Sequence, residues 1–325
     1  MSSSIVKRSP ALPSVSTPIE DLIARAQAYA VDARAPATRK AYLSDFETFT
    51  GWCALQNLIA FPATPGTVAV YLAAMADGGK APPTIERALA AIAYVHRQRG
   101  YEWPRAHAAI ARVMHGIRRT TTKSPHPKSA ITEAELLRMV ATTAAGTLTD
   151  LRDRAVLLVG FFGAFRRAEL VALNVDDLSF VREGLRIRVR RAKNDQLGAG
   201  AEKGLPFTAA PELCPVRALR AWLDAAGITE GPLFRSVGAR GNVGASALSD
   251  RSVALVVQRA AKRAGMDPKL VAGHSLRSGF ATTAAAKGKG LDAIMRQTLH
   301  RSEKVARAYI RHASVFTDNA ASGIF

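Results

Sequence analysis

Apolar residues recur at three- and four-residue intervals through most of the first 120 positions, which is the period of an amphipathic helix. The clearest buried stripe consists of Tyr42, Phe46, Phe49 and Cys53. Thr38 is a candidate N-cap for the helix that carries this stripe. The pattern predicts an all-helical domain of four or five helices over residues 18–120.

The second half of the chain adds a different period. Thr132 and Glu135 form a capping-box sequence, and a buried helix is predicted at 155–172. After it, apolar residues alternate with arginines over Leu185–Arg190, which is typical of a strand with one basic face. A hairpin loop at 194–204 is predicted to return through Leu205–Phe207. Helical patterns resume at 215–226 and 250–264 and continue to Tyr309.

These patterns divide the chain into five segments. The fold class is predicted as mainly α with a small β-sheet. The segments are a flexible Ser/Pro-rich arm at 1–17, a helical domain at 18–120, a basic linker at 121–130, a mixed α/β domain at 131–312 and a tail at 313–325. The tail contains four large apolar residues among small ones, so we expect it to dock on a protein surface, with a neighbouring subunit as the candidate.

The chain is strongly basic, with a formal net charge of +19 and a sequence pI of about 10.6. Basic residues exceed acidic ones both before and after Lys128, so the excess does not come from one tail. A polyanion that touches both domains explains this distribution, and nucleic acid is the leading candidate; a solubilising surface charge is the alternative. Candidate phosphate contacts are Arg39, Lys40, Arg87, Arg97, Arg99, Lys123, Lys128 and Arg251.

Other features exclude several classes of protein. The chain has only two cysteines, Cys53 and Cys214, so no disulfide framework is implied. The N-terminal sequence has no apolar block of a signal peptide, and the most apolar stretch, 155–165, is too short to span a bilayer. We expect a protein of the cytoplasm with no membrane partner.

Four local features carry candidate chemistry. Arg166 and Glu169, three positions apart, could form a supported phosphate clamp or an ordinary surface ion pair. His274 and Arg277 share one helix face, although such a pair is frequent in basic proteins. Tyr309 lies among arginines nine positions after His300 and could equally be a tyrosine at the edge of the core. Lys193, at the predicted hairpin, is by itself typical of a solvated charge.

The order of these features changes their weight. The series of motifs resembles the tyrosine recombinase (phage integrase) family. The motifs of the series are Arg-x-x-Glu-Leu, a lysine on a hairpin, the stretch HSLRSGFA at 274–281, and Leu-His followed by a tyrosine nine positions later. The first domain resembles the helical core-binding domain of the Cre-like branch of this family. The resemblance lies in residues 38–42, Trp52-Cys53, Thr84-Ile85 and His96. The resemblance covers residues 18–312 and implies a SAM-like helical core-binding domain followed by a mixed α/β catalytic domain.

The resemblance also implies roles for the site residues. Tyr309 would attack the scissile phosphate and form a 3′-phosphotyrosyl link, while Arg166 and Arg277 clamp the phosphate. His274 and His300 would hydrogen-bond to that phosphate, with His274 a candidate acceptor of the phenol proton. Lys193 would be the general acid, and Glu169 would support the site.

The family also implies partners. These are double-stranded DNA with a short inverted-repeat core site and further copies of the chain, in a tetrameric synapse on DNA. The sequence contains no carboxylate cluster at metal-ligand spacing and no Walker-type loop, so neither a metal nor another cofactor is expected. Localisation at a prokaryotic or mobile-element nucleoid follows from the same resemblance.

Two departures and two rival functions stay open. Leu299 stands where the family commonly has glycine, so the conformation of that turn is not fixed by the resemblance. Lys203 lies in the same predicted hairpin as Lys193 and could replace it as the acid, although Lys193 is preferred. The rivals are a type IB topoisomerase-like enzyme and a catalytically idle DNA-binding protein of the same fold.

Overall fold

A computed structural model of the chain describes residues 18–101, 107–121, 128–190, 200–300, 302–304, 306–307 and 309, apart from the side chains of Val31 and Asp32. The predicted arm and tail, together with Lys123 and Lys193, lie outside the described residues. The chain divides into two compact units, Met1–His126 and Pro127–Phe325. None of the helices in the described ranges combines the length and apolar character that a bilayer crossing requires.

All regular secondary structure in the described part of the first unit is helical. Its helices are α1 (Ile19–Asp32), α2 (Pro36–Leu55), α3 (Pro65–Asp77), α4 (Pro82–Gln98) and α5 (Ala108–Thr120). Proline occupies the first helical turn of α2, α3 and α4, where its missing N–H leaves no hydrogen bond unmade. The sequence had suggested Thr38 as the N-cap of α2, and this prediction is wrong because of the proline. The helix already starts at Pro36, and Ala35 occupies the cap position.

The core of the first unit follows the predicted stripe. Phe49 and Cys53 are completely buried, and they pack with Leu72 of α3 and with Ile85 and Ile92 of α4. Burying apolar side chains of this size contributes about 1.5–3 kcal/mol each. The helical period of the sequence therefore identifies the face of α2 that holds this unit together.

His96 is a polar side chain inside this core, with 1% of its surface exposed. Its Nε2 accepts a hydrogen bond from the backbone N–H of Ala63 at 2.9 Å, and its Nδ1 donates to the carbonyl of Ile92 at 2.8 Å. Both nitrogens are satisfied only in the neutral ring with hydrogen on Nδ1. Burial, followed by the charge of Arg99, lowers the pKa of His96 below 6.5.

The first unit is therefore expected to lose stability in mild acid. The unfolded chain takes up a proton at His96 near pH 6.5, whereas the folded chain does so only at lower pH, so the free energy of unfolding declines as the pH falls below about 6.5. Hydrogen exchange of α4 in the whole chain, compared at pH 7 and pH 5.5, measures this decline. His96→Gln is the control, because glutamine does not titrate. An equal decline in the variant would assign the effect to other groups.

The second unit is mainly helical with two small sheets. Its helices are α6 (Glu133–Ala141), α7 (Leu148–Phe162), α8 (Arg167–Val171), α9 (Pro215–Ala226), α10 (Asp250–Arg263), α11 (Gly273–Ala286) and α12 (Leu291–Thr298). The predicted capping box opens α6, since Thr132 and Glu135 each accept a hydrogen bond from the other's backbone N–H. Helix α7 is central, because its residues pack against strands and α9 on one side and against α6, α10 and α11 on the other.

The larger sheet is antiparallel, with the strands in the order β1 (Leu178–Val181), β2 (Gly184–Val189) and β3 (Ala201–Pro206). Strands β4 (Arg235–Val237) and β5 (Val243–Ala247) form a separate antiparallel pair. In β2 the apolar positions are buried and the arginines exposed, as the alternation predicted. Strand β3 begins at Ala201, four residues earlier than the predicted return strand. As a result Lys203 pairs with Ile187 and faces the core rather than the loop.

The predicted single helix at 155–172 is wrong in one respect. The structure has two helices there, α7 and α8, separated by a turn at 163–165. Ala164 has a left-handed backbone with φ +46°, a conformation that a continuous α-helix does not contain. The turn places Arg166 at the start of a new helix instead of inside an old one.

Candidate active site

The turn between α7 and α8 is a tight backbone platform. A side-chain carbon added at Gly163 would lie 2.1 Å from the ring of Phe165, so only glycine fits there. The carbonyls of Gly163 and Ala164 are left free of helical partners and accept hydrogen bonds from two cationic side chains. Lys203 donates to the first at 2.6 Å, and Arg277 donates to the second at 2.7 Å. The turn thus brings residues from β3 and α11 to the start of α8.

Arg166 occupies the N-cap position of α8 and is held by Glu169. The backbone N–H of Arg166 donates to one carboxylate oxygen at 3.0 Å, and its guanidinium donates to the other at 2.5 Å. The Glu169 side chain is 4% exposed and that of Arg166 is 21% exposed. The buried carboxylate of Glu169 therefore fixes the orientation of the Arg166 guanidinium, which still reaches the surface and can bind an anion there.

Arg277 is a buried cation, with 1% of its surface exposed. One of its nitrogens bonds to Ala164, whereas Nε and the second Nη have no hydrogen-bond partner among the described residues. Burial, and then the charge of Arg166, lower the pKa of Arg277 to about 10, so the group stays charged at neutral pH. A buried cation with two unused donors is costly without an anion, and this marks the place for one.

His274 stands in the first turn of α11, whose N-terminus is capped by Ser275. The hydroxyl of Ser275 accepts from the backbone N–H of Ala272 at 3.0 Å. Burial, followed by the charges of Arg277 and Arg166, lowers the pKa of His274. The imidazole is therefore neutral at neutral pH and can accept a proton.

The chain that follows α12 supplies the remaining two groups, His300 and Tyr309. Leu299 ends α12 in the left-handed conformation, with φ 52° and ψ 42°. The turn thus has the backbone that glycine usually provides, although the residue is leucine. The ring of His300 stacks on that of Tyr309, with centroids 5.8 Å apart and planes 14° apart. The Tyr309 hydroxyl lies 3.2 Å from Nε2 of His274.

Lys203 of β3 reaches the same site through the turn between α7 and α8. It is 1% exposed, and its ammonium also lies 4.4 Å from the centroid of the Phe165 ring. Burial is the main cause that lowers its pKa to about 7; the charges of Arg277 and Arg166 add to it and that of Glu169 opposes it. The sequence analysis had described Lys193 of this hairpin as typical of a solvated charge and had given Lys203 only as the alternative acid, so the burial of Lys203 was not predicted.

Gln297 is a site residue that the sequence analysis missed. Its amide nitrogen donates to the carbonyl of Phe162 at 2.7 Å and to that of Gly204 at 3.1 Å. It therefore ties α12 to the end of α7 and to β3. A glutamine three residues before the histidine carries no motif of its own, so its role is visible only in the fold.

The structure thus brings together Arg166, Glu169, His274, Arg277, His300 and Tyr309. The guanidinium groups of Arg166 and Arg277 share one site, since each lies close to Glu169 and the charge of Arg166 alters the pKa of Arg277. Lys193, the remaining candidate, is outside the described residues.

The candidate DNA contacts are scattered over both units. Lys40, Arg97 and Arg251 are exposed, and Arg39 is partly buried. Arg87 is paired with Asp45 at 2.7 Å, and the guanidinium of Arg99 lies 4.6 Å from the ring centroid of Phe61. Lys128 donates to the carbonyl of Lys269, and Lys123 is outside the described residues.

A mainly helical domain that brings a tyrosine hydroxyl, two guanidinium groups and two imidazoles together has the groups that phosphoryl transfer to a tyrosine requires. The sequence pattern of the phage integrase family matches residues 129–314. The chain therefore belongs to the phage integrase family, whose tyrosine recombinases cleave and rejoin DNA strands.

Individual relatives extend the similarity beyond the second unit. A xerD homolog of Selenomonas ruminantium, described as an integrase/recombinase, is 39% identical over 295 residues, covering 90% of this chain and 86% of that protein. Recombinase cre of Escherichia phage P1 is 27% identical over 85% of this chain and 84% of its own. A lambda integrase tetramer bound to a Holliday junction shares the fold, with a TM-score of 0.57 at 17% identity over 91% of this chain and 78% of that one.

Proposed function

We propose that this recombinase cuts DNA by attack of the Tyr309 hydroxyl on the scissile phosphate, forming a 3′-phosphotyrosyl bond and releasing a 5′-hydroxyl. The observation that carries this proposal is the buried guanidinium of Arg277, two of whose donors have no hydrogen-bond partner in the described part of the chain. Its charge interacts with the Tyr309 phenol, whose hydroxyl lies 3.2 Å from Nε2 of His274. The new bond is a phosphodiester, so the reverse attack of a 5′-hydroxyl rejoins the strand without ATP.

Each group has a separate task in this step. His274 accepts the phenol proton, because its Nε2 lies 3.2 Å from the hydroxyl and its pKa is lowered. Arg166 and Arg277 stabilise the charge that develops on the non-bridging oxygens. Each such donor typically contributes about 3–4 kcal/mol to the transition state.

We assign protonation of the departing 5′-oxygen to Lys193. The alternative, Lys203, is sealed from solvent and already donates to the carbonyl of Gly163. Its position supports a role in holding the turn that carries Arg166, which leaves the acid to a residue of the hairpin loop.

The proposed substrate is a DNA duplex with a short inverted-repeat core site, contacted by basic residues of both units and acted on by four copies of the chain. The even spread of positive charge over the sequence supports contacts from both units. The proposed location is the cytoplasm, at the nucleoid. The recombinase names of the relatives favour this function over a relaxing topoisomerase or an idle DNA-binding protein.

The test is a duplex bearing the inverted repeat that the purified protein protects, nicked beside the cleavage position so that the cut fragment diffuses away. The protein should accumulate as a denaturant-resistant complex attached to a 3′ end. A plasmid with two sites should also yield defined recombinant junctions. Relaxed plasmid without junctions would favour the topoisomerase, and the absence of any covalent complex would favour the idle protein.

Assembly is proposed to use the tail at 313–325, which packs on a neighbouring subunit. An apolar pocket of about 370 Å³ on the second unit offers a receiving surface. Its walls include Leu136, Leu137, Phe161, Phe280 and Ile294. The apolar residues of the tail, Val315, Phe316, Ile324 and Phe325, match this lining in chemistry.

Deleting 313–325 should therefore leave binding to a single half-site unchanged and abolish the synapsed complex in native gels. Leu137→Asp should reproduce the loss, because Leu137 is 51% exposed and a charge there spoils the pocket without disturbing the core. Leu255→Asp on α10, with 44% of Leu255 exposed, is the matched control. Synapsis that survives both the deletion and Leu137→Asp would contradict the proposal.

A further inference from the structure

Thr298 is a fully buried residue beside the active site, and its hydroxyl has a fixed direction. Its Oγ1 lies 2.7 Å from the carbonyl oxygen of Ile294, one turn earlier in α12. A carbonyl oxygen can only accept, so the single hydrogen of the hydroxyl is donated there. The lone pairs of Oγ1 remain free to accept a further hydrogen bond.

The Nδ1 atom of His300 lies 2.9 Å from the same hydroxyl oxygen. Because the hydroxyl hydrogen is already used, Nδ1 must be the donor in this contact and must carry the ring hydrogen. The left-handed backbone of Leu299 makes the approach possible, and the backbone N–H of His300 donates to the carbonyl of Met295 at 3.2 Å. The residue is thus held at two points, its ring by Thr298 and its backbone by Met295.

A neutral imidazole carries one hydrogen, so Nε2 of His300 is bare in the DNA-free protein. The ring is neutral at pH 7, since its pKa is lowered to about 4 by burial in the first place. The other groups that lower it are Arg277 and His274 of α11, Arg166 before α8 and Lys203 of β3, and of these His274 is itself uncharged at pH 7. A bare Nε2 accepts hydrogen bonds and cannot donate one to a phosphate oxygen.

We propose that Thr298 is a positioning residue that fixes the hydrogen of His300 on Nδ1, so that His300 can donate to the scissile phosphate only after taking up a proton. The proton comes from solvent and adds to Nε2, giving an imidazolium that keeps its bond to Thr298. The arriving phosphodiester supplies the negative charge that offsets the charges of Arg277 and Arg166 and favours this uptake. The inference rests on the proposed function, because the hydrogen bond that we assign to His300 is made to the scissile phosphate.

The first test needs no DNA. Long-range proton–nitrogen NMR of the whole protein distinguishes the two neutral tautomers, and the signal missing in His300→Gln identifies this ring among the seven histidines. Wild type and Thr298→Ser should have hydrogen on Nδ1, and Thr298→Val should move it to Nε2. Hydrogen on Nε2 in the wild type would overturn the proposal whatever the protein does to DNA.

The second test is the single-turnover cleavage rate as a function of pH. A neutral Nε2–H ring needs no added proton, so the ratio of the wild-type to the Thr298→Val rate should fall by up to about tenfold per pH unit above the pKa of His300 in the complex. Thr298→Ser should follow the wild type. A ratio that does not change with pH would mean that Thr298 only shapes the helix end. Absence of cleavage by the wild type would instead refute the proposed function.

Discussion

Tyr309→Phe should abolish the covalent complex with nicked DNA while leaving the affinity for the uncut duplex unchanged. The variant removes only the hydroxyl that lies 3.2 Å from Nε2 of His274. The ring that packs against the cluster of Ala281, Ala284 and Ile294, and stacks on His300, is retained. Loss of a nucleophile in well-studied hydrolases costs about 10⁶-fold in rate, which is beyond detection in a trapping assay.

Tyr29→Phe is the matched control, because Tyr29 is 74% exposed in α1 and far in sequence from the site. It should trap covalent complex as the wild type does. Covalent complex formed by Tyr309→Phe at the wild-type rate would show that another residue is the nucleophile. Loss of duplex binding in the same variant would mean that the hydroxyl serves affinity rather than chemistry.

The regular parts of the fold could be predicted because burial leaves a period in the sequence. The alternation over Leu185–Arg190 became β2 with its apolar side inward, and the stripe at Phe49 and Cys53 became the core of α2. The break between α7 and α8 could not be predicted in this way. It depends on a positive φ at Ala164, and alanine gives no sign of that conformation in a sequence.

The residues that meet in the candidate site could be named from the order of their motifs, whereas the contacts among them could not. Spacing cannot show that Arg277 and Lys203 donate to adjacent carbonyls of one turn, since these residues are far apart in the chain and meet through the fold. Thr298 was missed for a related reason. Its contact with His300, two positions later, exists only because Leu299 reverses the backbone.

Arg277→Met should combine a large loss of cleavage with a gain in stability. Two unused donors disappear from the phosphate site, so the cleavage rate should fall by at least about 10³-fold. Methionine nearly preserves the buried volume but carries no charge. In the DNA-free protein it removes a desolvated cation that is repelled by Arg166, and because a buried charge without an ion-pair partner is costly, the free energy of unfolding should rise.

Cleavage of nicked duplex and hydrogen exchange of α7, measured on the same preparations, give the two effects. Arg167→Met is the control, because Arg167 is a neighbouring arginine whose side chain is 41% exposed and paired with Asp250 across 3.6 Å. It should change neither quantity by a comparable amount. Faster exchange in Arg277→Met would show instead that Glu169 and the carbonyl of Ala164 stabilise the arginine enough to make it part of the fold. A buried charge that lowers the free energy of unfolding of the DNA-free protein is best explained by binding of an anion during function. The sign of the stability change therefore separates a phosphate site from a structural ion pair.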